Sequence, residues 1–241
     1  MSQPARDDRQ RLLQEELLAL GSLVEELLLQ SVDLLRQSSL DALEKLGEDT
    51  RQIHKKRLAI EMGCLSLIAT GRPRDERLRR LVAMIEIAAE LEHIAEHARR
   101  VARVNYLVVN HQLRTAVDGI QRLAQGLLSP LSLALQALVE GNVSLADRSL
   151  AQLDDLSGQY EQTYEALLTV MKTKPRIASQ ALYLSRAAYN LMRASERVAG
   201  VNEWVVFSIT GSMGQAVPVP EVALSEAQPA QEEMLSVRRT E

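Results

Sequence analysis

Aromatic residues are scarce: Phe, Trp and Tyr together make up 3% of the 241 residues. A core built from this chain must be aliphatic, and Leu, Ala, Val and Ile supply most of the 46% apolar content. Such a core suits interdigitating helices better than a β-sandwich, which draws on aromatics and regular turn signals. The same scarcity argues against a single-strand nucleic-acid binder that stacks bases on rings. Proline and glycine are sparse between residues 8 and 210, which favours long helices. A single cysteine, Cys64, excludes an intrachain disulfide, and its apolar surroundings predict a buried small hydrophobe. No apolar run reaches the roughly 18 residues that a membrane helix needs. The longest candidate, GLLSPLSLALQALVEG, is short and carries a proline. The opening MSQPARDDRQR is polar and has no apolar signal core. A cytoplasmic protein is the expectation. Neither sign of charge dominates: 28 basic and 32 acidic residues leave a net −4, with no global pull toward nucleic acid. Two arginine clusters stand out, Arg72, Arg74, Arg77, Arg79 and Arg80, then Arg99, Arg100 and Arg103. They read as solvated helix faces with Glu partners, the alternative being a surface for an anionic partner.

Helical spacing fills most of the chain. Leu13, Leu17, Leu20, Val24, Leu27, Leu34 and Leu35 recur at threes and fours, with Glu15, Glu16, Glu25 and Glu26 opposite, which predicts an amphipathic helix of about 25–30 residues. A second helix begins near Ser39-Leu40-Asp41, with Asp41 and Glu44 at N-cap and N3-like positions, and runs to about Thr70. Gly71, as C-cap, and Pro73 break the chain. A third helix spans about Arg74 to Leu107, with the stripe Leu81, Ile85, Ala88, Leu91, Ala95, Ala98 and Ala102. The second half repeats the plan. A helix covers about His111 to Glu140 with a kink expected at Pro130. Gly141-Asn142 ends it, and two more helices follow, Ser144 to about Lys172 and Pro175 to about Ile209. ATGRPR at 69–74 and KTKPR at 172–176 are matching breaks, each opening a long helix with a charged centre. The internal repeat predicts two three-helix units, about 8–107 and 108–211. Residues 212–241 have three prolines and no apolar periodicity, and read as a disordered tail.

The charged centre of the third helix, ELEHIAEHARR at 90–100, carries two overlapping patterns. His93, Glu96 and His97 spell H-x-x-E-H, a zinc-peptidase ligand spacing. On a helical wheel centred on Leu91 and Ala98, however, both histidines point nearly away from the apolar stripe, toward solvent. A catalytic zinc needs three protein ligands in a water-excluding pocket, and no cleft-forming pattern accompanies these two. Glu92 and Glu96 form the second pattern, a carboxylate pair one turn apart. Like charges at that spacing repel by a few tenths of a kcal/mol, a cost that a cation or Arg99 and Arg100 would offset. From spacing alone, a solvated face with local ion pairs and a cation site both remain open.

The stretch IEMGCLSLIATGRPRDERLRRLVAMIEIAAELEHIAEHARRVA, with KPRIASQALYLSRAAYNLMRASERVAGVNEWVVFSITG, resembles the PhoU family of phosphate-transport accessory proteins. The family repeats a motif, roughly D-L-E-R-I-G-D-H-A, late in the third helix of each of two bundles. The first copy here is Glu90-Leu91-Glu92-His93-Ile94-Ala95-Glu96-His97-Ala98, and the second is Asn190-Leu191-Met192-Arg193-Ala194-Ser195-Glu196-Arg197-Val198. The spacing from the break proline agrees in both halves, Pro73 to Glu92 and Pro175 to Met192. The resemblance covers about residues 10–211.

The resemblance implies an all-α fold of two pseudo-repeated antiparallel three-helix bundles. It implies a non-enzymatic cytoplasmic negative regulator of phosphate uptake and phosphate-starvation signalling. Its partners would be the ATPase subunit of the phosphate ABC transporter and the phosphate-sensing histidine kinase, with the membrane reached only through them and no nucleic acid bound. Exposed helix faces leave room for a homodimer. The family's acid pairs bind divalent or iron-type metal ions, so the implied metal ligands are Glu92 and Glu96, with His54 at the facing position of the second helix. Glu196 is the remnant of the second site. There Met192 replaces the first acid, a thioether is a poor ligand for hard cations, and Arg193 and Arg197 add positive charge. The Glu76-Arg77-Leu78-Arg79 stretch exchanges acid and base relative to the family's R-D-L-R, and Ala95 and Ser195 replace a glycine. The rival readings are a helical adaptor for another transporter or regulator, and, more remotely, the zinc metallopeptidase.

Overall fold

A computed structural model describes residues 3–36, 39–104 and 113–213. Among them the regular structure is helical throughout, and no strand occurs. Helices α1 (Gln3–Asp33), α2 (Leu40–Gly71) and α3 (Asp75–Ala102) form one antiparallel three-helix bundle. Helices α4 (Arg114–Glu140), α5 (Val143–Thr173) and α6 (Ala178–Thr210) form a second, with a single 3-10 turn at Pro175–Ile177 leading into α6. The expected end of α3 near Leu107, the start of α4 at His111 and the tail beyond Met213 lie outside the described residues.

The leucine spacing of α1 finds its partners as periodicity requires: Leu13, Leu17, Leu20, Val24 and Leu27 are all buried. Cys64 is buried as well, and burial pushes its thiol up to about 12, so it stays protonated and serves as packing. The caps differ from the sequence expectation. Ser39, not Asp41, caps α2, its Oγ accepting from Ala42 N at 3.2 Å. At the other end Arg72, rather than Gly71, takes the left-handed conformation, with φ 45. Asp75 also has a positive φ, 49, so Pro73 is bracketed by two strained non-glycine residues. Gly141 ends α4 in the left-handed region as expected, and Asn142 caps α5 through Ser144 N.

Helix α4 continues through Pro130 without interruption. It is long and apolar enough to cross a membrane by length and composition. Its Ile120, Leu123, Leu127, Leu131 and Leu135 face is buried, against α1, α5 and α6.

The two bundles meet along α3 and α6, which share the most extensive helix–helix contact among the described residues, and along α1 and α4. Gly21 marks the second seam: a Cβ there would stand 2.3 Å from Leu135 Cδ1. Arg36 pairs with Asp118, and Gln121 Nε2 donates to Asp33 Oδ1 at 3.2 Å, near the same seam. Helix α3 consequently buries two stripes. Met84, Ala88, Leu91, Ala95, Ala98 and Ala102 form one. Ala83, Ile87, Ile94 and Val101, interleaved with Glu90 and His97, form the other. The sequence stripe caught the first. Ile85, counted in it, is only half-buried. The second faces α6, because Glu90 and His97 both contact α6 residues.

Candidate functional site

Position 92 lies on the face of α3 that looks toward α2. There Glu92 is held from both sides. Its Oε1 lies 2.6 Å from His54 Nδ1, and its Oε2 accepts from Arg57 Nε at 2.7 Å. Arg57 reaches back along α2 to Glu61, so one guanidinium spans two carboxylates. Glu92 and Arg57 are each about four-fifths buried, with side-chain exposures of 20% and 21%, while His54 is half exposed. The spacing of α2 makes this possible: His54, Arg57 and Glu61 at three and four share one helix face. The structure thus joins His54 to Glu92, as the family position implied, and adds Arg57, which the sequence reading did not name. The signal for it was available, since Arg57 sits one turn from both His54 and Glu61.

Glu96 does not join them. One turn farther along α3, its Oε2 faces Arg99 NH2 at 3.3 Å. In the second bundle Met192 is buried, at 7% exposure, and Ser195 Oγ donates to the Met192 carbonyl at 2.6 Å. Glu196 pairs with Arg193 on its own helix. Of the residues proposed as metal ligands only His54 and Glu92 come together: each Glu92 oxygen meets a nitrogen donor, and Glu96 and Glu196 each face an arginine. Among the described residues no group of three or more His, Cys, Asp or Glu side chains is arranged to hold a metal ion. The donor set does not fit the ion that the resemblance implies.

The histidines of the H-x-x-E-H pattern go separate ways. His93 is exposed, 3.8 Å from Glu90 Oε2. His97 is half-buried against α6, its Nδ1 3.2 Å from Asn190 Oδ1. The wheel placed both in solvent, and this is a correction for His97. A wheel built on one bundle cannot show that α6 covers the other side of α3. Asn190 Nδ2 donates to Arg186 O at 2.8 Å, which leaves its oxygen to accept from the His97 ring. Burial, with Arg100, Arg197 and Arg193 nearby, holds the imidazole below its ordinary value against the opposing pull of that hydrogen bond. Glu90 sits across Gly200 of α6, where a Cβ would come within 3.2 Å of its Cδ, and its Oε2 faces Arg197 NH1 at 3.6 Å. Residue 90 meets 197 and residue 97 meets 190, as two repeats related by a twofold turn would. Desolvation, and then the neighbouring Glu90, push the Glu203 carboxyl above the usual range.

The first arginine cluster is in part neutralised. Arg77 pairs with Asp7 at 2.8 Å and Arg80 with Glu76 at 2.7 Å, beside an open groove of about 580 Å³ whose rim mixes both signs. The outer face of α2 exposes Leu58, Met62 and Leu65. The sequence reading passed over this stripe, although its spacing of four and three was visible.

Residues 17–104, the first bundle without the first half of α1, match the family model described as the PhoU domain. A Phosphate-specific transport system accessory protein PhoU homolog of Deinococcus radiodurans is 25% identical over 219 residues, covering 88% of this chain and 99% of that protein. The Phosphate-specific transport system accessory protein PhoU of Escherichia coli K12 is 20% identical over 199 residues, covering 83% of each. Among solved structures, the phosphate transport system regulatory protein PhoU from Streptococcus pneumoniae superposes with a TM-score of 0.79 at 21% identity, covering 87% of this chain and 99% of that one. PhoU from Pseudomonas aeruginosa superposes with a TM-score of 0.72 at 22% identity. These likenesses share the all-α architecture of two three-helix bundles.

Proposed function

We propose, on the premise that this chain carries a PhoU domain and is a divergent relative of the PhoU proteins, that it regulates phosphate uptake as an accessory protein of a phosphate transport system. What carries the reading is that the likeness runs through both bundles: the relatives named for that system align over most of their own length and of this chain. The surface consists of long helix faces, suited to protein contact.

The finer form of the proposal is repression of the phosphate-starvation response by contact with the transporter's ATPase subunit, the phosphate-sensing histidine kinase, or both, on the cytoplasmic side. Deleting the gene in its source organism tests the role. In phosphate-replete medium a phosphate-starvation reporter should switch on and uptake should rise, and a wild-type copy should reverse both. Unchanged reporter and uptake would refute the role. Direct binding of the purified chain to the ATPase subunit and to the kinase's cytoplasmic part tests the contacts separately. Loss of repression without binding to either would leave the role standing and overturn the contact mechanism.

A further inference from the structure

Arg57 stands where the resemblance places a metal ion. Independently of the regulatory role, we infer that the Arg57 guanidinium is the built-in counter-cation of the Glu92 site, and that this site works without metal. The sites of interest are the carboxylate oxygens. Glu92 Oε2 accepts from Arg57 Nε at 2.7 Å, and Oε1 is 2.6 Å from His54 Nδ1. The other side of the guanidinium is taken by Glu61. A divalent ion binding Glu92 would have to share its oxygens with Arg57 and His54. It would also leave Arg57 beside a doubly charged ion in a setting where both side chains are largely buried. Arginine cannot relieve that repulsion by losing its proton, as lysine can. Its planar fork also satisfies two carboxylates at fixed angles, which a metal would otherwise do.

The same rule holds at the neighbouring acids. Glu96 faces Arg99, and Glu196 faces Arg193. At the position matching Glu92 in the second bundle the acid is replaced by the buried Met192, and no counter-cation is needed. Every acid retained from the doubled motif has an arginine against it. The divergence of this chain is therefore coherent: positive charge supplied by side chains takes over a task that the resemblance assigns to ions.

The test uses the full chain, stripped with a chelator that is then removed, and titrated with Mn²⁺ and with Zn²⁺ by calorimetry. Binding that survives Glu92→Gln belongs elsewhere and is subtracted. Wild type should show no Glu92-dependent binding. Arg57→Ser should open Glu61 and Glu92 to a hard cation, which takes carboxylate oxygens. It should bind Mn²⁺ about tenfold more tightly than wild type, or better. The double variant Arg57→Ser/Glu92→Gln should lose that gain. Wild-type binding of either ion that Glu92→Gln abolishes would overturn the inference. So would a folded Arg57→Ser protein that gains nothing. If Arg57→Ser does not fold, the wild-type and Glu92→Gln titrations decide alone.

Discussion

His97 Nδ1 lies 3.2 Å from Asn190 Oδ1, across the seam where α3 of one bundle meets α6 of the other. The contact ties a titratable group to the joint between the repeats. The ring donates to the amide oxygen as a neutral imidazole, and its burial, with Arg100, Arg197 and Arg193 close by, disfavours a second proton.

A pH dependence of stability follows. In the folded protein the His97 pKa lies below the ordinary value of 6.5. Well above 6.5 folded and unfolded chains carry the same proton count at this residue, and it contributes no slope. From about 6.5 down through the folded value the unfolded chain binds more protons, so stability falls as pH falls. His97→Gln keeps a hydrogen-bonding amide and removes the titration. Urea unfolding at pH 8 and pH 5.5 should show a larger loss for wild type than for His97→Gln. Other groups, including Glu203, whose raised carboxyl acts in the opposite direction, are common to both proteins and cancel in the comparison. Equal losses would refute the assignment.

One chemical change should give opposite signs at two glycines. Gly158 lies within α5, and a Cβ there meets nothing within 4 Å. Gly158→Ala should therefore stabilise by about 0.5–1 kcal/mol, through the entropy that a helical glycine loses on folding. Gly21 lies at the α1–α4 seam, where a Cβ would overlap Leu135 Cδ1 at 2.3 Å, and both residues are buried. Gly21→Ala should destabilise by about 0.5–2 kcal/mol net, the cost of overfilling a packed interior less the same helical gain. Thermal unfolding of the two variants beside wild type checks both signs.

The helices were legible because their apolar residues keep the 3.6 period along nearly the whole chain. Leu13, Leu17 and Leu20 were placed in the core by spacing alone, and all are buried. Glycine and proline marked the breaks. The caps were less legible. Ser39 and Asp41 are both good capping residues, and only backbone conformation decides which side chain reaches a free N–H. The second stripe of α3 escaped for a different reason. Its centre is polar, with Glu90 and His97 between Ile87, Ile94 and Val101, so a hydropathy wheel reads that side as surface. The covering residues, Asn190, Arg197 and Gly200, come from the far end of the chain. At the candidate site the acid pair was legible as a motif, but its fate was not, since the partner Arg57 is reached only across α2 and α3.

The Glu92–Arg57 pair should contribute where an ordinary surface pair does not. Both side chains are about four-fifths buried and share a direct charge-assisted hydrogen bond, whereas Arg11 and Glu15 are 3.6 Å apart and mostly exposed. A double-mutant cycle over Arg57→Ala and Glu92→Ala should return a coupling of about 1 kcal/mol or somewhat more, after allowance for the solvent that still reaches the pair. The cycle over Arg11→Ala and Glu15→Ala should return a value near zero. Urea unfolding of the seven proteins measures both. Equal couplings would mean that the α2–α3 clamp adds nothing beyond surface electrostatics.

Pro130 makes the last case, because a proline inside a helix takes a donor away from the residue four positions earlier. Helix α4 nevertheless runs on past it, and the neighbourhood is tied by side chains. Ser149 Oγ, from α5, donates to the Pro130 carbonyl at 2.7 Å and accepts from Asn202 Nδ2, from α6, at 2.8 Å. One hydroxyl thus links all three helices of the second bundle in a fully buried setting. Ser149→Ala removes a donor and an acceptor together, and leaves one buried Asn202 proton without a partner, while the Pro130 carbonyl keeps its place in the α4 ladder. The cost of an unsatisfied buried polar group is about 1–3 kcal/mol. Thr169 also carries a hydroxyl bonded within α5, to Glu165 O at 3.0 Å, but it is exposed. Thr169→Ala should change stability by less than about 0.5 kcal/mol, the usual range for a surface site. Urea unfolding of both variants separates the two. A Ser149→Ala protein as stable as wild type would show that water or local repacking replaces the hydroxyl, and that the three-helix link does not hold the bundle at Pro130.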